Sequence, residues 1–342
     1  MKRSREEEQF IDLDQLRDLW GLIQPWLSAD DLKNLRLASR EIEQRIRRAY
    51  FSRFRVRLTQ ASFAQFRPEL APFITKVDDT ESGGRLALWL SRAQHNSALK
   101  DVLIDADHID HSGLDWNSLT QIDSLEVLDA GVLDTQVTLP ESITNLSNLQ
   151  TFSFGGIEPN SGLIELSESI SKLTNLEKLF LTNNLLSTLP ESFGNLKNLR
   201  ILELQSNQFQ EIPEVVMELS KLEELDFVNN YLIALPETIG QLSNLRGLDC
   251  SENSLNSIPN SITQLSNLQV LWLSFNQLTA LPESIGQLTN LQRLILFENE
   301  LVSVPDSLFR LSKLQYLALG DNRLPEATEE RLRQQFGNKV WL

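Results

Sequence analysis

The chain has 342 residues, of which 41% are hydrophobic and 23% charged, and this composition excludes a chain that stays unfolded for lack of apolar side chains. No run of 18 apolar residues is present, so the sequence predicts no membrane-spanning helix. The single cysteine, Cys250, excludes an internal disulfide and a cysteine-based zinc cluster. The charged N-terminus predicts no cleavable signal peptide, and we expect a cytoplasmic protein in a reducing compartment.

Charge is distributed unevenly along the chain, whose formal net charge is −16. Residues 1–72 hold 14 basic and 11 acidic side chains, whereas the remaining 270 residues hold 17 and 36. Such an acidic body repels phosphate backbones, so we expect no nucleic-acid partner. The run from Arg45 to Arg57 holds six arginines among aromatic residues. Its pattern allows contact with RNA or anionic lipid, but a solvated helix end that balances the acidic body is favoured.

Residues 1–57 are predicted to form a helical domain, because their apolar residues recur at helical spacing. Pro25 is expected to kink or end the first helix, and Ser28 is suited to cap the second. The apolar positions are Leu13, Leu16, Trp20, Ile23 and Leu27 in the first stretch, and Leu32, Leu35, Ile42 and Ile46 in the second.

The segment from Trp26 to Arg40 resembles the F-box. That family has a leucine-serine pair, an acidic-leucine step, and a leucine-arginine-leucine run that closes on serine-arginine. The matching residues are Leu27, Ser28, Asp31, Leu32, Leu35, Arg36, Leu37, Ser39 and Arg40. The resemblance implies docking on the Skp adaptor of a cullin–RING ubiquitin ligase through Leu16, Trp20, Ile23, Leu27, Leu32 and Leu35. The alternative is a simple helical cap for the repeats that follow.

Residues 58–98 are predicted to be a linker or N-terminal cap, and residues 99–324 a repeat array. Asparagines recur every 23 residues, at Asn184, Asn207, Asn230, Asn253, Asn276, Asn299 and Asn322. The same apolar frame precedes each asparagine, as in Leu268-x-x-Leu271-x-Leu273-x-x-Asn276. Weaker copies begin at Leu99, Leu125 and Leu149, which gives about ten predicted strands. Four additional residues around Gly155 to Gly162 are expected to form a protruding loop.

This frame resembles the 23-residue type of leucine-rich repeat. The resemblance implies an α/β fold class, namely a leucine-rich-repeat solenoid with a parallel inner sheet. Leucines two apart on an extended segment point to one side, and stacked neighbours are needed to bury them. The Pro-Glu-Ser-Ile-Gly continuation predicts a short helix or 3₁₀ turn, and residues 325–342 a helical C-terminal cap in which Trp341 helps to cover the last repeat. The asparagines are assigned a structural role in satisfying turn backbone groups.

The outward strand positions are predicted to share one concave surface, which is the candidate binding face. They divide into an acidic zone and an apolar, aromatic zone. The candidate residues are Phe180, Glu203, Glu224, Asp226 and Asp249, followed by Val270, Trp272, Phe275, Arg293, Ile295, Phe297 and Tyr316. Neighbouring acids repel one another, and clustered exposed aromatics are typical of interfaces. The alternative is that the acids keep the sheet soluble while the aromatics pack on each other.

No enzyme is predicted. Cys250 occupies an inward position of the frame, where a buried thiol is not activated. His108 and His111 near three aspartates suggest a metal only weakly, so we expect neither metal nor cofactor, and no small-molecule substrate. The expected function is therefore binding of an unknown protein target, as an F-box-type adaptor or, if secreted by a bacterium, as an effector in host cytosol. The alternative is a stand-alone repeat scaffold or inhibitor without a ubiquitin link.

Overall fold

The computed structural model describes residues 124–132, 136–156 and 161–342, together with four short strands nearer the N-terminus. The chain divides into two units, one holding residues 1–133 and 140–153 and the other residues 134–139 and 154–342. Most of the regular repeats lie in the second unit, and the two units are described separately.

Among the described residues of the first unit, five strands pair in chain order and in parallel. They are β1 (Phe10–Asp12), β2 (Arg55–Thr59), β3 (Lys76–Glu81), β4 (Asp101–Leu103) and β5 (Val127–Val132). A 3₁₀ turn at Glu141–Asn145 follows, and it buries Ile143. The core described here includes Leu125, Leu128 and Leu149.

Strand β1 lies within residues 1–57, for which the sequence predicts helices, and strand β2 begins there. Arg55–Thr59 is a strand, so the interpretation of the arginine run as a helix end is wrong for its last residues. The predicted helices between residues 13 and 46, with all six residues assigned to adaptor binding, lie outside the described residues. The F-box-like domain and its boundaries therefore stay predictions.

The second unit is a coil of parallel strands joined by short outer turns. Strand β7 (Thr151–Gly156) spans the boundary between the units, and β6 (Gln136–Thr138) pairs with β8 (Gly162–Glu165). Eight further strands pair in chain order. They are β9 (Lys178–Phe180), β10 (Ile201–Glu203), β11 (Glu224–Asp226), β12 (Gly247–Asp249), β13 (Val270–Trp272), β14 (Arg293–Ile295), β15 (Tyr316–Ala318) and β16 (Val340–Trp341).

The apolar frame of the sequence forms the core of the second unit. Leu271 and Leu273 are fully buried, and Trp272 between them is 37% exposed. Alternation along an extended strand places neighbouring side chains on opposite sides. Each strand joins the next at a spacing of about 4.8 Å, so every leucine row is covered by the rows on either side. The predicted solenoid and its parallel sheet are confirmed.

The outer side of each repeat is a 3₁₀ turn, as the Pro-Glu-Ser-Ile-Gly segment predicts. Most turns begin after a proline whose φ is near −68°, a value that the proline ring fixes in advance. Each turn directs at least one apolar side chain inward, for example Ile239 and Ile262. The turns lie at Glu168–Lys172, Glu191–Asn195, Glu214–Glu218, Glu237–Gln241, Asn260–Gln264, Ile285–Gln287 and Asp306–Arg310.

The predicted loop around Gly155 to Gly162 is wrong at both of its ends. Gly155 and Gly156 belong to β7, and Gly162 begins β8, which pairs in parallel with β6. A Cβ atom at Gly155 would collide with the Thr182 carbonyl oxygen, so the glycine permits a close backbone approach. Residues 157–160 lie outside the described residues.

The C-terminal cap consists of helix α1 (Glu326–Phe336), a 3₁₀ turn at Gly337–Lys339 and strand β16. The helix buries Leu332 and Phe336, and the Phe336 ring stacks 5.9 Å from that of Phe309. The predicted capping helix is therefore present. Trp341 pairs with the last repeat strand β15, while its side chain stays 61% exposed. In the part of the chain that is described, no helix has the length and apolar character needed to cross a membrane.

Candidate protein-binding face

Strands β9–β16 are in register, so their outward side chains form continuous rows. We call this surface the strand face. Its middle row follows the Cα pairing from strand to strand. The row reads Phe180, Glu203, Asp226, Asp249, Trp272, Ile295, Ala318 and Trp341. The predicted candidates Glu224, Val270, Arg293 and Tyr316 occupy the row two residues earlier. The structure thus places these predicted residues on one surface.

The acidic part of the strand face is partly withdrawn from water. Glu203, Asp226 and Asp249 are half-buried neighbours on three adjacent strands. One oxygen of Asp226 accepts the Val228 N–H at 2.8 Å, and one oxygen of Asp249 accepts the Ser251 N–H at 2.9 Å. The two carboxylates are thereby held in fixed positions beside each other.

Burial raises the pKa of Asp226 to about 7, and the negative charges of Asp249 and Glu203 act in the same direction. Burial also raises the pKa of Asp249. The Val228 and Ser251 N–H groups oppose these shifts but do not cancel them. A carboxyl group with a raised pKa is costly to ionise in the free protein, and a cation placed nearby lowers that cost.

We expect Asp226→Asn to stabilise the chain at pH 8 and to have little effect at pH 4. The folded pKa of Asp226 lies above its unfolded value, so its contribution to stability is lost as the pH rises from about 4 to about 7. The amide keeps an oxygen for the Val228 N–H but carries no charge. Urea unfolding followed by circular dichroism at both pH values measures the effect, with exposed Glu224→Gln as a control. A variant less stable than wild type at pH 8 would contradict this account.

The aromatic part of the strand face is exposed. Trp272 is 37% exposed and Phe275 is 45% exposed. The Phe275 and Phe297 rings meet edge to face at 5.6 Å, so the aromatics do pack on each other, as the alternative interpretation holds. That packing leaves much of Phe275 in water, and large exposed aromatics in one cluster are uncommon on monomeric proteins.

Sequence analysis missed one member of this surface, Trp341. It pairs with Ala318 in the sheet, and its ring centroid lies 6.2 Å from that of Tyr316. The signal was present, because Trp341 follows Ala318 by 23 residues, as Ala318 follows Ile295. The sequence pattern predicts only a C-terminal cap for residues 325–342, so it does not assign Trp341 to this surface.

The backbone supports Phe275 in an unusual conformation. We call the seven asparagines that recur every 23 residues the ladder asparagines. The residue before each of them has a positive φ, and these residues are Asn183, Ser206, Asn229, Glu252, Phe275, Glu298 and Asp321. This left-handed region is tolerated by asparagine and aspartate but costs energy for a bulky side chain. Phe275 has a φ of 55° and is the one aromatic residue among the seven. Strained residues of this kind cluster at functional sites.

The seven ladder asparagines join neighbouring repeats. In each, the side-chain oxygen accepts the backbone N–H of the residue 21 positions earlier, for example Leu255 for Asn276 at 2.9 Å. The amide nitrogen donates to the carbonyl 26 positions earlier, Cys250 in the same example, at 3.0 Å. It also donates to the Leu273 carbonyl at 3.1 Å. The same bonds recur at Asn207, Asn230, Asn253, Asn299 and Asn322. Asn184 accepts the Leu163 N–H in the same way, but its amide donates to the Phe154 carbonyl, which lies 30 positions earlier.

Cys250 is fully buried, and burial raises the pKa of its thiol well above the ordinary value. No group of three metal-ligating side chains occurs among the described residues. His108 and His111 lie outside them.

Comparison with known proteins agrees with the fold. Residues 160–209 and 266–324 match the leucine rich repeat family, and residues 243–286 match a two-copy version of the same repeat. Repeated strands with an inward leucine frame define a solenoid protein. Residues 160–209 and 243–324 therefore contain leucine-rich repeats.

Three similar proteins illustrate the range of this fold. Cuscuta receptor 1 of Solanum lycopersicum is 38% identical over 121 residues, which cover 32% of this chain and 10% of that receptor. The plant peptide hormone receptor RGFR1 in complex with RGF2 is 24% identical, with a TM-score of 0.58 over 80% of this chain and 51% of the receptor. An internalin from Listeria monocytogenes is 18% identical, with a TM-score of 0.53 over 75% of this chain and 77% of its own. The two receptors are thus matched over about half of their length or less.

Proposed function

We propose that the chain is a protein-binding module whose concave strand face holds a partner. The observation that carries the proposal is the direct pairing of half-buried Asp249 with exposed Trp272 on adjacent strands. Half-buried neighbouring carboxylates and exposed aromatic side chains both raise the free energy of the unbound protein. A partner that brings a cation and an apolar side chain lowers both costs. The complex of RGFR1 with RGF2 concerns that receptor, and it is a precedent for a polypeptide ligand on this fold.

Site-specific photocrosslinking tests the proposal directly. A benzophenone amino acid replaces Ile295 on the strand face, and a matched variant carries it at Ile233, which is 57% exposed and outside the strand rows. We expect a discrete adduct with one partner from position 295 and a much weaker one from position 233. Adducts of equal yield from both positions, or none from position 295, would contradict binding at the strand face.

We further propose that residues 1–57 attach this module to a ubiquitin ligase as an F-box-type adaptor. The support is the F-box resemblance of the segment from Trp26 to Arg40. In this role the chain needs no catalytic site of its own, and it acts in the cytosol, or in host cytosol if it is secreted as an effector.

If the full chain and a Skp adaptor form no complex at micromolar concentration, the adaptor role is wrong and the alternative of a stand-alone binding module is favoured. If a complex forms, Leu32→Asp should abolish it while the circular dichroism of the repeats is unchanged.

Phe275→Asn is expected to weaken partner binding about fivefold or more while changing stability by less than about 1 kcal/mol. The substitution relieves the cost of a left-handed bulky residue and loses the ring contact with Phe297, and these effects on folding offset each other. Calorimetric titration and thermal unfolding measure the two quantities.

Glu298→Asn is the matched control, because Glu298 occupies the same backbone position one repeat later with a φ of 51°. It should leave the dissociation constant within about twofold of wild type, since Glu298 lies outside the aromatic cluster. Equal binding by the Phe275 variant and wild type would show that the strained aromatic is not part of the interface.

A further inference from the structure

The acidic and aromatic parts of the strand face meet at strands β11, β12 and β13. Asp226 pairs with Asp249, and Asp249 pairs with Trp272. With strands about 4.8 Å apart, the gap between the two acids lies roughly 7 Å from the tryptophan position. An extended chain advances about 3.3 Å per residue, so two or three residues span this distance.

Gly247 leaves a recess beside this junction. It lies in the row two residues before Asp249, between Glu224 and Val270 of the neighbouring strands. A Cβ atom built there meets only the Glu224 Cγ, at 3.8 Å, which is an ordinary contact. The neighbouring repeats carry Ile201, Glu224 and Val270 in this row, so the strand itself does not require glycine. A glycine without a local requirement permits the close approach of another backbone.

The negative charge of the site favours a partner that carries a cationic group. A carboxylate offers about four lone-pair directions, and the backbone N–H bonds of Asp226 and Asp249 use only part of them. A guanidinium or ammonium group between the two acids adds charge-assisted hydrogen bonds and removes their mutual repulsion. The net negative charge of residues 73–342 attracts cationic segments over a longer range.

We propose that the strand face binds an extended polypeptide segment that places an arginine or lysine between Asp226 and Asp249 and a large apolar side chain on Trp272. The backbone of this segment passes over the recess at Gly247. The two anchoring side chains are two or three positions apart in the partner. This inference rests on the proposed function and specifies the chemistry of the partner at the same surface.

Peptide display against the full chain tests the inference. We expect enriched peptides to carry arginine or lysine two or three positions from a tryptophan, phenylalanine, leucine or isoleucine. A selected peptide should lose tenfold or more in affinity for the Asp226→Asn/Asp249→Asn double variant. Its counterpart with glutamine in place of the cation should bind wild type and double variant equally. Enrichment without a cation, equal affinity of the cationic peptide for both proteins, or no enrichment would overturn the inference.

A steric variant separates this inference from the proposed function. Gly247→Tyr fills the recess. Tyrosine is chosen because Tyr316 occupies the corresponding position of the same row on β15, and Gly247→Ala is the conservative control. We expect the tyrosine variant to unfold at the wild-type temperature and to lose the selected peptides, while the alanine variant keeps them. If the selected peptides lack a cation but still fail to bind the tyrosine variant, the inference is wrong while the proposed function stands. Peptides that bind the tyrosine variant and Trp272→Ala unchanged would place binding elsewhere and overturn the proposed function as well.

Discussion

Asn276→Ala should lower the free energy of unfolding by about 3 kcal/mol or more. The substitution removes the acceptor for the buried Leu255 N–H and the donor to the carbonyls of Cys250 and Leu273. These backbone groups are enclosed between stacked repeats, and alanine cannot replace the bonds. Each buried group left without a partner costs about 1–3 kcal/mol. Urea unfolding followed by circular dichroism measures the loss.

Asn267→Ala is the control for this prediction. The Asn267 amide also donates to a backbone carbonyl, that of Ser243 at 2.9 Å, but it does so at the exposed side of the repeat. Water replaces that bond, so we expect a change within about 0.5 kcal/mol. Similar losses for the two variants would mean that the ladder asparagines do not stabilise the coil through buried bonds.

Trp272→Ala should weaken binding of the photocrosslinked partner by about 2 kcal/mol or more, which corresponds to about 30-fold in the dissociation constant. Tryptophan loses more contact area than other residues when it is truncated at the centre of an interface. Trp272 is partly exposed in the free chain, so its removal should leave the unfolding temperature nearly unchanged. Surface plasmon resonance with the purified partner gives the affinity.

Tyr231→Ala is a suitable control for Trp272→Ala. Tyr231 is an aromatic residue that is 62% exposed and lies outside the strand rows, directly after the ladder asparagine Asn230. The control variant should bind the partner as wild type does. If Trp272→Ala binds as tightly as Tyr231→Ala, then Trp272 is not an anchor of the interface.

The regular repeats could be predicted from residue spacing because every repeat has to bury the same apolar positions against its neighbours. Leu271 and Leu273 need neighbours to be buried, and the asparagine that follows at position 276 is suited to bond the turn. The sequence did not indicate that the asparagine bonds reach back to the preceding repeat, because that contact depends on how the turns stack. The small sheet of β6 and β8 was missed for the same reason, since it pairs segments that have no repeat signature.

The site was predicted in outline and corrected in detail. The outward rows follow from alternation along each strand, so residue spacing alone assigns the acids and aromatics to one surface. The sequence pattern assigns Trp341 to the C-terminal cap, although the 23-residue spacing continues to it. Its place on the strand face depends on the pairing of β16 with β15, which the sequence pattern alone does not establish.

The sequence by itself determined the repeat length, the inward leucines and the residue types that face outward, because these follow from periodicity and from the geometry of an extended strand. The tertiary structure decided how deeply Asp226 and Asp249 are buried, that Phe275 is held at a positive φ against Phe297, and that Gly247 borders an open recess. Burial, strain and free space arise from contacts between repeats, and such contacts exist only once the strands have stacked.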